Sequence, residues 1–201
     1  MQTKLIGVDR TPPWRPLESL TLALLGLGTM LSRLPYLTPR INSHDAVNYA
    51  LALGRYDVGL HQPHPPGYPL YVLMGRALLP LADDPAAALT WLSALTSGLA
   101  VCAVYLCGRR MWDRAAGLTA ALGLATSPMF WSLGGEPLPY CADLFFSILA
   151  GWACYRAMGG KGRSAVLAAG AAVGLAAALR QQNAAILSGL LLAYLLHFAE
   201  D

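Results

Sequence analysis

Residues 42–69 of the chain read NSHDAVNYALALGRYDVGLHQPHPPGYP, and this is its longest stretch that cannot sit in lipid. It holds two of the eleven acidic residues and three of the four histidines. Long apolar runs flank it on both sides, and such runs are typical of membrane helices. We therefore interpret residues 42–69 as a loop outside the membrane and as the candidate active-site loop.

The composition of the whole chain supports a membrane protein. Its 201 residues are 56% hydrophobic and 12% charged, with a mean hydropathy of +0.46, which is too apolar for an ordinary soluble domain. The basic residues form short clusters between apolar runs, as in cytoplasmic membrane loops, so we predict no nucleic-acid partner. The four cysteines lack C-x-x-C spacing and predict buried apolar positions rather than a metal site or disulfides.

The apolar runs predict an all-α polytopic membrane bundle of about six transmembrane helices in one module, residues 1–201. A spanning helix needs about 20 residues, and the first, residues 16–36, follows a basic N-terminus without a cleavage site. Residues 37–85 then form the outer loop, and 86–198 form five further membrane helices. The expected spans in that last part are 86–106, 115–133, 138–155, 164–179 and 184–198.

Two apolar segments, one too short and one too long for a single membrane span, decide the topology. Residues 71–82 are too short to cross and contain Arg76, so we predict a helix half-embedded in the outer leaflet. This placement puts the N-terminus and the basic loops 109–114 and 156–163 in the cytoplasm, as the positive-inside rule requires. Residues 164–198 would form a continuous helix of roughly 50 Å, well beyond a hydrocarbon core of about 30 Å. We therefore predict a break at residues 180–183 (RQQN), with the polar tip facing outward.

Asp45 is the first candidate for chemistry. Residues 44–53 predict an amphipathic helix capped by Ser43, with Val47, Ala50, Leu51 and Gly54 on one face. The other face carries Asp45, Asn48, Tyr49 and Ala52. Asp45 could be a general base at the outer membrane face, or simply a carboxylate placed favourably near a helix N-terminus.

Polar residues elsewhere supply further candidates. His61 and His64 are three apart, which is weak evidence for a metal, and His64 suits an anionic headgroup better. Glu136, Tyr140 and Asp143 would share one face of a helix beginning near Pro137. Ionisable residues within membrane segments are costly, which makes Asp143 a functional candidate, with a hydrogen-bonded packing role as the alternative.

Arg180 would lie on the recessed tip between the last two helices. Its planar guanidinium suits phosphate oxygens. The alternative is that this side chain only extends to the lipid headgroups. The sequence alone leaves both roles open.

Several segments, taken in order, resemble the integral membrane GT-C glycosyltransferases, within them the protein O-mannosyltransferase and lipid A aminoarabinose transferase group. The resemblance covers roughly residues 31–192 and is closest to bacterial members with an HPPGYPLY segment. The matching segments are Asp45, 64–71 (HPPGYPLY), 92–95 (LSAL), 104–106 (VYL), 109–110 (RR), 125–131 (ATSPMFW) and 140–146 (YCADLFF).

The resemblance implies a polyprenyl-phosphate-sugar donor and an inverting transfer to a protein or glycolipid acceptor. It places the site at the outer face of a bacterial inner membrane. Asp45 would be the base, and either Asp143 or Glu136 a second functional acid. His64 and Arg180, with Gln181, would hold the donor phosphate. The remaining pocket residues would be Asn48, Tyr49, His61, Tyr68 and Tyr140.

Two features of the resemblance bear on activity. Family members usually have several more membrane helices, so we expect the chain to be truncated at its C-terminus. No cofactor and no protein metal site are predicted, although a divalent metal could bridge a carboxylate and the donor phosphate. The alternatives are a transporter or lipid-handling membrane protein, or a non-catalytic fragment of a larger transferase.

Overall fold

Helices make up the computed structural model, which describes residues 13–37, 41–159 and 163–198. Within these ranges no β-strand forms, so the all-α class is confirmed. Short 3-10 turns follow α1, precede the histidine segment and follow α3. The α-helices in chain order are α1 (Pro16–Leu31), α2 (His44–Gly54), α3 (Pro69–Leu78), α4 (Pro85–Met111), α5 (Arg114–Ala125), α6 (Pro128–Leu133), α7 (Tyr140–Gly159), α8 (Arg163–Leu179) and α9 (Gln182–Phe198).

Helix α4 is the centre of the bundle, and α1, α5 and α7 pack around it. Asp84 caps its start by accepting a hydrogen bond from the Ala87 amide at 2.8 Å, and Pro85 occupies the first turn, where no amide donor is needed. Its buried hydroxyls bond to the helix's own carbonyls, as Thr90 does to Ala86 at 2.8 Å. The polar side chains of α4 therefore cost little when neighbouring helices cover them.

Glycines set how closely the helices around α4 approach. A Cβ at Gly98 would lie 2.6 Å from the Gly26 carbonyl oxygen of α1. A Cβ at Gly117 of α5 would lie 2.6 Å from the Tyr105 carbonyl oxygen. Backbones this close leave no room for side chains, as in other tightly packed membrane helices.

Two helices of the described residues are long and apolar enough to cross a membrane: Pro16–Tyr36, which includes a 3-10 turn, and Pro85–Met111. The segments Pro69–Leu81, Arg114–Ala125 and Arg163–Leu179 form shorter apolar helices. The predicted short helix of residues 71–82 is therefore present. The count of six spanning helices is not confirmed.

The predicted span 115–133 is wrong as a single helix. Helix α5 ends at Ala125, and α6 begins at Pro128 after an extended Ser127 (φ −61°, ψ 120°). The proline ring disfavours helical geometry at the residue before it and removes an amide donor, which explains the break. The break predicted near residues 180–183 is confirmed, because α8 ends at Leu179 and α9 begins at Gln182.

Helix α2 confirms one prediction and corrects another. Ser43 caps it as expected, accepting a hydrogen bond from the Ala46 amide at 3.2 Å. The face that packs on the bundle, however, runs through Ala46, Tyr49, Ala50, Ala52 and Leu53, all buried. The predicted apolar face is divided, because Ala50 is buried while its neighbours Val47 and Leu51 are exposed.

Some predictions concern residues 1–12, 38–40, 160–162 and 199–201, which lie outside the described residues. They include the cytoplasmic placement of Lys4 and Arg10, the middle of the basic loop 156–163 and part of the outer loop 37–85.

Candidate active site

The segment between α2 and α3 turns sharply and places His64 and Tyr68 against α2. Gly67 adopts a φ of +106°, where a Cβ would lie 2.5 Å from the Tyr56 hydroxyl oxygen. Tyr68 also has a positive φ, 46°, and precedes Pro69 at the first position of α3. At position 67, only glycine fits without strain. The turn therefore fixes where the two side chains point.

Tyr49 is the centre of an aromatic cluster beneath the loop. Its ring centroid lies 5.2 Å from that of His64 and 5.1 Å from those of both Tyr68 and Tyr71, at tilted or edge-on angles. Such ring pairs are favourable beyond their buried area. Burial, together with the neighbouring Tyr68 hydroxyl, raises the pKa of Tyr49. Tyr49 thus remains a neutral phenol that supports the loop.

Asp45 stands at the exposed edge of this cluster. Its Oδ1 lies 3.8 Å from the His64 Nδ1, which is too long for a hydrogen bond. The Asp45 side chain is 54% exposed and that of His64 is 21% exposed. The first turn of α2 favours a charged carboxylate at this position. Asp45 is consequently accessible to a molecule approaching from outside the loop.

A second polar cluster forms where α7 begins and α8 gives way to α9. Arg180 Nη1 donates to Asp143 Oδ2 at 3.1 Å, and Asn183 Nδ2 donates to Asp143 Oδ1 at 2.6 Å. The Asn183 amide also donates to the Ala176 carbonyl at 3.0 Å. The Arg180 guanidinium lies 5.5 Å from the Tyr140 ring centroid. Asp143 thereby holds the tip residue Arg180 in a defined position.

The two clusters meet through shared packing. Helix α3, which follows the histidine loop, packs against α8. Tyr49 of α2, Leu138 and Ala142 near the start of α7 and Leu179 of α8 belong to one hydrophobic core. Tyr68 packs on this core and lies beside Tyr49. The fold therefore brings Asp45, His64, Tyr68, Arg180 and Asp143 to one region.

Other predicted site residues fall outside these contacts. Glu136 is half-buried in the turn before α7, so the prediction that it shares a helix face with Tyr140 and Asp143 is wrong. The reason is that Pro137 and Pro139 cannot donate, and the first helical hydrogen bond runs from the Asp143 amide to the Pro139 carbonyl. His61 is exposed at the end of a 3-10 turn.

Asn48 is half-buried on α2 and Gln181 is exposed at the break between α8 and α9. Neither has a described side-chain contact with the two clusters. Among the residues the structure describes, no group of three His, Cys, Asp or Glu side chains is placed to hold a metal ion.

Sequence reasoning missed Asn183 and Tyr71 as parts of this region. Asn183 was recognised only as one letter of the polar RQQN tip, although its amide is what joins Asp143 to the α8 backbone. Tyr71 is fully buried beneath Tyr49. Its place in the HPPGYPLY segment was the available signal.

A charged cluster of a different kind joins α1, α4 and α5 at the opposite end of α4. Glu18 Oε2 lies 2.7 Å from Arg109 Nε, and Glu18 Oε1 pairs with Arg114. The Arg109 guanidinium also covers the Trp14 ring, 5.1 Å from its centroid. The Glu18 and Arg109 side chains are 5% and 2% exposed. This network connects helices, and its central pair, Glu18 and Arg109, is buried, whereas Arg114 at its edge is 28% exposed.

Comparison with protein-family models finds a match over most of the chain. The family model described as dolichyl-phosphate-mannose-protein mannosyltransferase matches residues 63–200. That range includes His64, Tyr68, Asp143 and Arg180, whereas Asp45 lies before it. No curated protein and no solved structure shows significant similarity to the chain.

Proposed function

The chain belongs to the dolichyl-phosphate-mannose-protein mannosyltransferase family, and on this premise we propose that it transfers a sugar from a polyprenyl-phosphate donor to a hydroxyl acceptor. The membership itself indicates a mannosyltransferase-like glycosyltransferase. Members of the family in general use lipid-linked sugar donors and protein acceptors. The finer assignment to a donor, an acceptor and named residues is our proposal.

The proposal rests on one observation: two different polar clusters pack against the same hydrophobic core. Asp45 and His64 present an accessible carboxylate and imidazole on one side. Arg180, held by Asp143, presents a cation on the other, and Tyr68 packs on the hydrophobic core that joins the two clusters. In a sugar phosphate, the anomeric carbon that a hydroxyl attacks lies at one end and the phosphate anion lies at the other. The carboxylate of Asp45 suits the first end and the cation of Arg180 suits the second.

In the proposed step, the oxygen of the acceptor hydroxyl attacks the anomeric carbon while the bond from that carbon to the phosphate oxygen breaks. Asp45 takes the acceptor proton, and the electron pair of the broken bond leaves with the polyprenyl phosphate. Attack opposite the leaving group inverts the anomeric centre. No oxidant or reductant is needed, and the phosphate leaves as an anion.

Arg180 would stabilise the charge that grows on the departing phosphate. Arginine has five N–H donors, and the described hydrogen bond to Asp143 uses Nη1. The side chain is 26% exposed, so the remaining donors are accessible to a ligand. His64, half-buried beside Asp45, could donate a further hydrogen bond, and Gln181 lies next to Arg180 on the exposed tip.

The membrane placement belongs to the same proposal. Six spanning helices would put the N-terminus in the cytoplasm and the two clusters at the outer face of a bacterial inner membrane. The two helices long enough to cross and the family's membrane association support this placement. A divalent metal, if bound, would be held by a carboxylate of the site and would help to neutralise the donor phosphate, and a chelator would test this prediction.

The direct experiment incubates the full chain in native membranes with a panel of radiolabelled polyprenyl-phosphate sugars and Ser/Thr-rich acceptor peptides. We expect label to reach the acceptor from at least one donor. Absence of both transfer and donor binding across the panel would contradict the proposal and favour a transport role. Running each reaction with and without a chelator tests whether transfer requires a divalent metal.

A further inference from the structure

A groove on the outside of the bundle lies between α4 and α7, and its lining includes no residue of the two site clusters. Its volume is about 340 Å³ and its lining is apolar except at one end. Arg110 is the only charged residue in that lining, and Trp152 lies beside it. Other lining residues include Leu99, Cys107, and Leu149. We call this feature the Trp152 groove.

The charged end of the Trp152 groove is built for an anion. The Arg110 guanidinium lies 5.6 Å from the Trp152 ring centroid, and Trp152 in turn stacks on Tyr155 with ring centroids 5.6 Å apart. An arginine that rests its face on an aromatic ring keeps its in-plane N–H donors for a ligand. Arg110 is exposed. A phosphate fits this end better than any neutral group.

The length of the groove matches one leaflet of a bilayer. Its lining on α4 extends from Leu99 to Arg110, which is roughly 16 Å at the rise of an α-helix. Half of a hydrocarbon core of about 30 Å is nearly the same length. Helix α4 is long and apolar enough to cross a membrane. An acyl chain of one leaflet would therefore lie along the apolar part while its headgroup reaches Arg110.

From this charge and length complementarity we propose that the Trp152 groove binds an anionic phospholipid from the leaflet on the Arg110 side of the membrane. The acyl chain contacts the apolar wall, and the headgroup phosphate receives hydrogen bonds from Arg110. Arg156, exposed in a neighbouring hollow that also includes Trp152, adds positive charge nearby. The site goes beyond sugar transfer and depends only on α4 crossing a membrane.

The test uses the full chain in nanodiscs containing equal parts of phosphatidylglycerol and phosphatidylcholine, one of them carrying a photoreactive acyl chain. Crosslinked peptides are then mapped by mass spectrometry. We expect the peptides of α4 and α7 that line the groove to be labelled by phosphatidylglycerol roughly fivefold more than by phosphatidylcholine, as for one basic residue at an anionic surface. Soluble glycerol phosphate has no acyl chain, so it should not reduce the labelling of these peptides by phosphatidylglycerol.

Two variants test the contributions of the lipid headgroup and of the lipid acyl chain separately. Arg110→Gln should reduce the labelling by phosphatidylglycerol to that by phosphatidylcholine, whereas Arg163→Gln, an exposed arginine outside the groove lining, should leave the preference intact. Leu149→Trp, at a partly exposed position of the wall, should lower labelling by both lipids.

Equal labelling of the wild-type groove by both lipids would overturn the proposal, as would an unchanged preference in Arg110→Gln. Absence of labelling in the groove by both lipids would also overturn the proposal, because it would show that no lipid chain occupies the groove. None of these results depends on sugar transfer, so failure here and failure of the proposed reaction are distinguishable.

Discussion

The two ends of the bundle use the same kinds of charged residue in opposite ways. At one end Glu18 and Arg109 are almost fully buried, 2.7 Å apart and in direct contact with their partners. At the other end Asp45 and His64 are separated by 3.8 Å, with the carboxylate more than half exposed. Arg180 and Asp143 are paired but remain accessible. We call the group around Glu18 and Arg109 the closed cluster, and the two site clusters together the open cluster.

The difference lies in how completely burial and pairing fix the charges at each end of the bundle. A buried charge is tolerated only when it is paired, and removing one partner leaves the other uncompensated. Charges that remain accessible and loosely spaced gain less from each other. The open cluster is therefore the one suited to a ligand, and the two clusters should respond differently to mutation.

The largest effect is expected from removing the charge of Asp45. Asp45→Asn should lower transfer by about a hundred- to ten-thousandfold, the usual contribution of a general base, while folding is preserved. Asp83→Asn, at an exposed position before α4, is the matched control and should transfer normally. Transfer measured in membranes with the best donor checks both. Turnover of Asp45→Asn at the wild-type level would remove Asp45 from the mechanism.

At the closed end, a methyl group at the helix crossing should affect stability instead. In Gly117→Ala the new Cβ would lie 2.6 Å from the Tyr105 carbonyl oxygen and 2.7 Å from the Arg109 amide nitrogen. We expect the free energy of unfolding to fall by about 1–3 kcal/mol, because backbone cannot move aside as a side chain can. Denaturation in detergent micelles measures the change.

Gly123→Ala is the matched control on the same helix, since nothing lies within 4 Å of its Cβ position. It should be neutral or raise the free energy of unfolding by up to about 1 kcal/mol, because alanine favours helices. Equal losses in the two variants would contradict the close crossing beside Arg109.

Replacing Arg180 by lysine tests how the open cluster holds an anion. Arg180→Lys keeps the charge but loses the planar fork, so we expect KM for the donor to rise roughly tenfold, the value of one hydrogen bond to a charged group. Arg163→Lys, exposed at the start of α8, should leave KM unchanged. A fall in kcat with constant KM would show instead that Arg180 does not bind the donor in its ground state.

The smallest effect should come from the exposed ion pair in the loop. Arg55 Nη2 lies 2.9 Å from Asp57 Oδ2, with the arginine side chain 71% exposed. Solvent-exposed pairs contribute less than about 1 kcal/mol. Arg55→Gln should therefore change neither the thermal midpoint nor transfer measurably. A large fall in the thermal midpoint or in transfer would mean that a short ion-pair distance is sufficient for a large contribution, even without burial.

Much of the arrangement was predictable because it depends on local rules. The Ser43 cap, the break at residues 180–181 and the short helix after the paired prolines all follow from residue chemistry over a few positions. Residue chemistry already indicated Asp45, His64 and Arg180, the resemblance implied a role for each, and the structure places these residues in one region. Their roles in catalysis stay predictions.

The parts that could not be predicted depend on tertiary contacts. The packing face of α2 follows Tyr49 because Tyr68 and Tyr71 meet it from another segment, which no periodicity of α2 reveals. Asn183 carries no charge and so gave no signal, although it joins Asp143 to α8. Glu18 lies inside the predicted first span without a local partner in sequence, and its partners lie more than ninety residues away.

The most direct test of the open cluster as a single transferase site is donor binding in two variants of the full chain. Affinity for a photoreactive polyprenyl-phosphate sugar would be measured by crosslinking yield in membranes. We predict that Asp45→Asn binds the donor like the wild type although it cannot transfer, whereas Arg180→Gln binds it at least tenfold more weakly, as expected for a lost charged hydrogen bond. Wild-type donor affinity in Arg180→Gln would contradict the account.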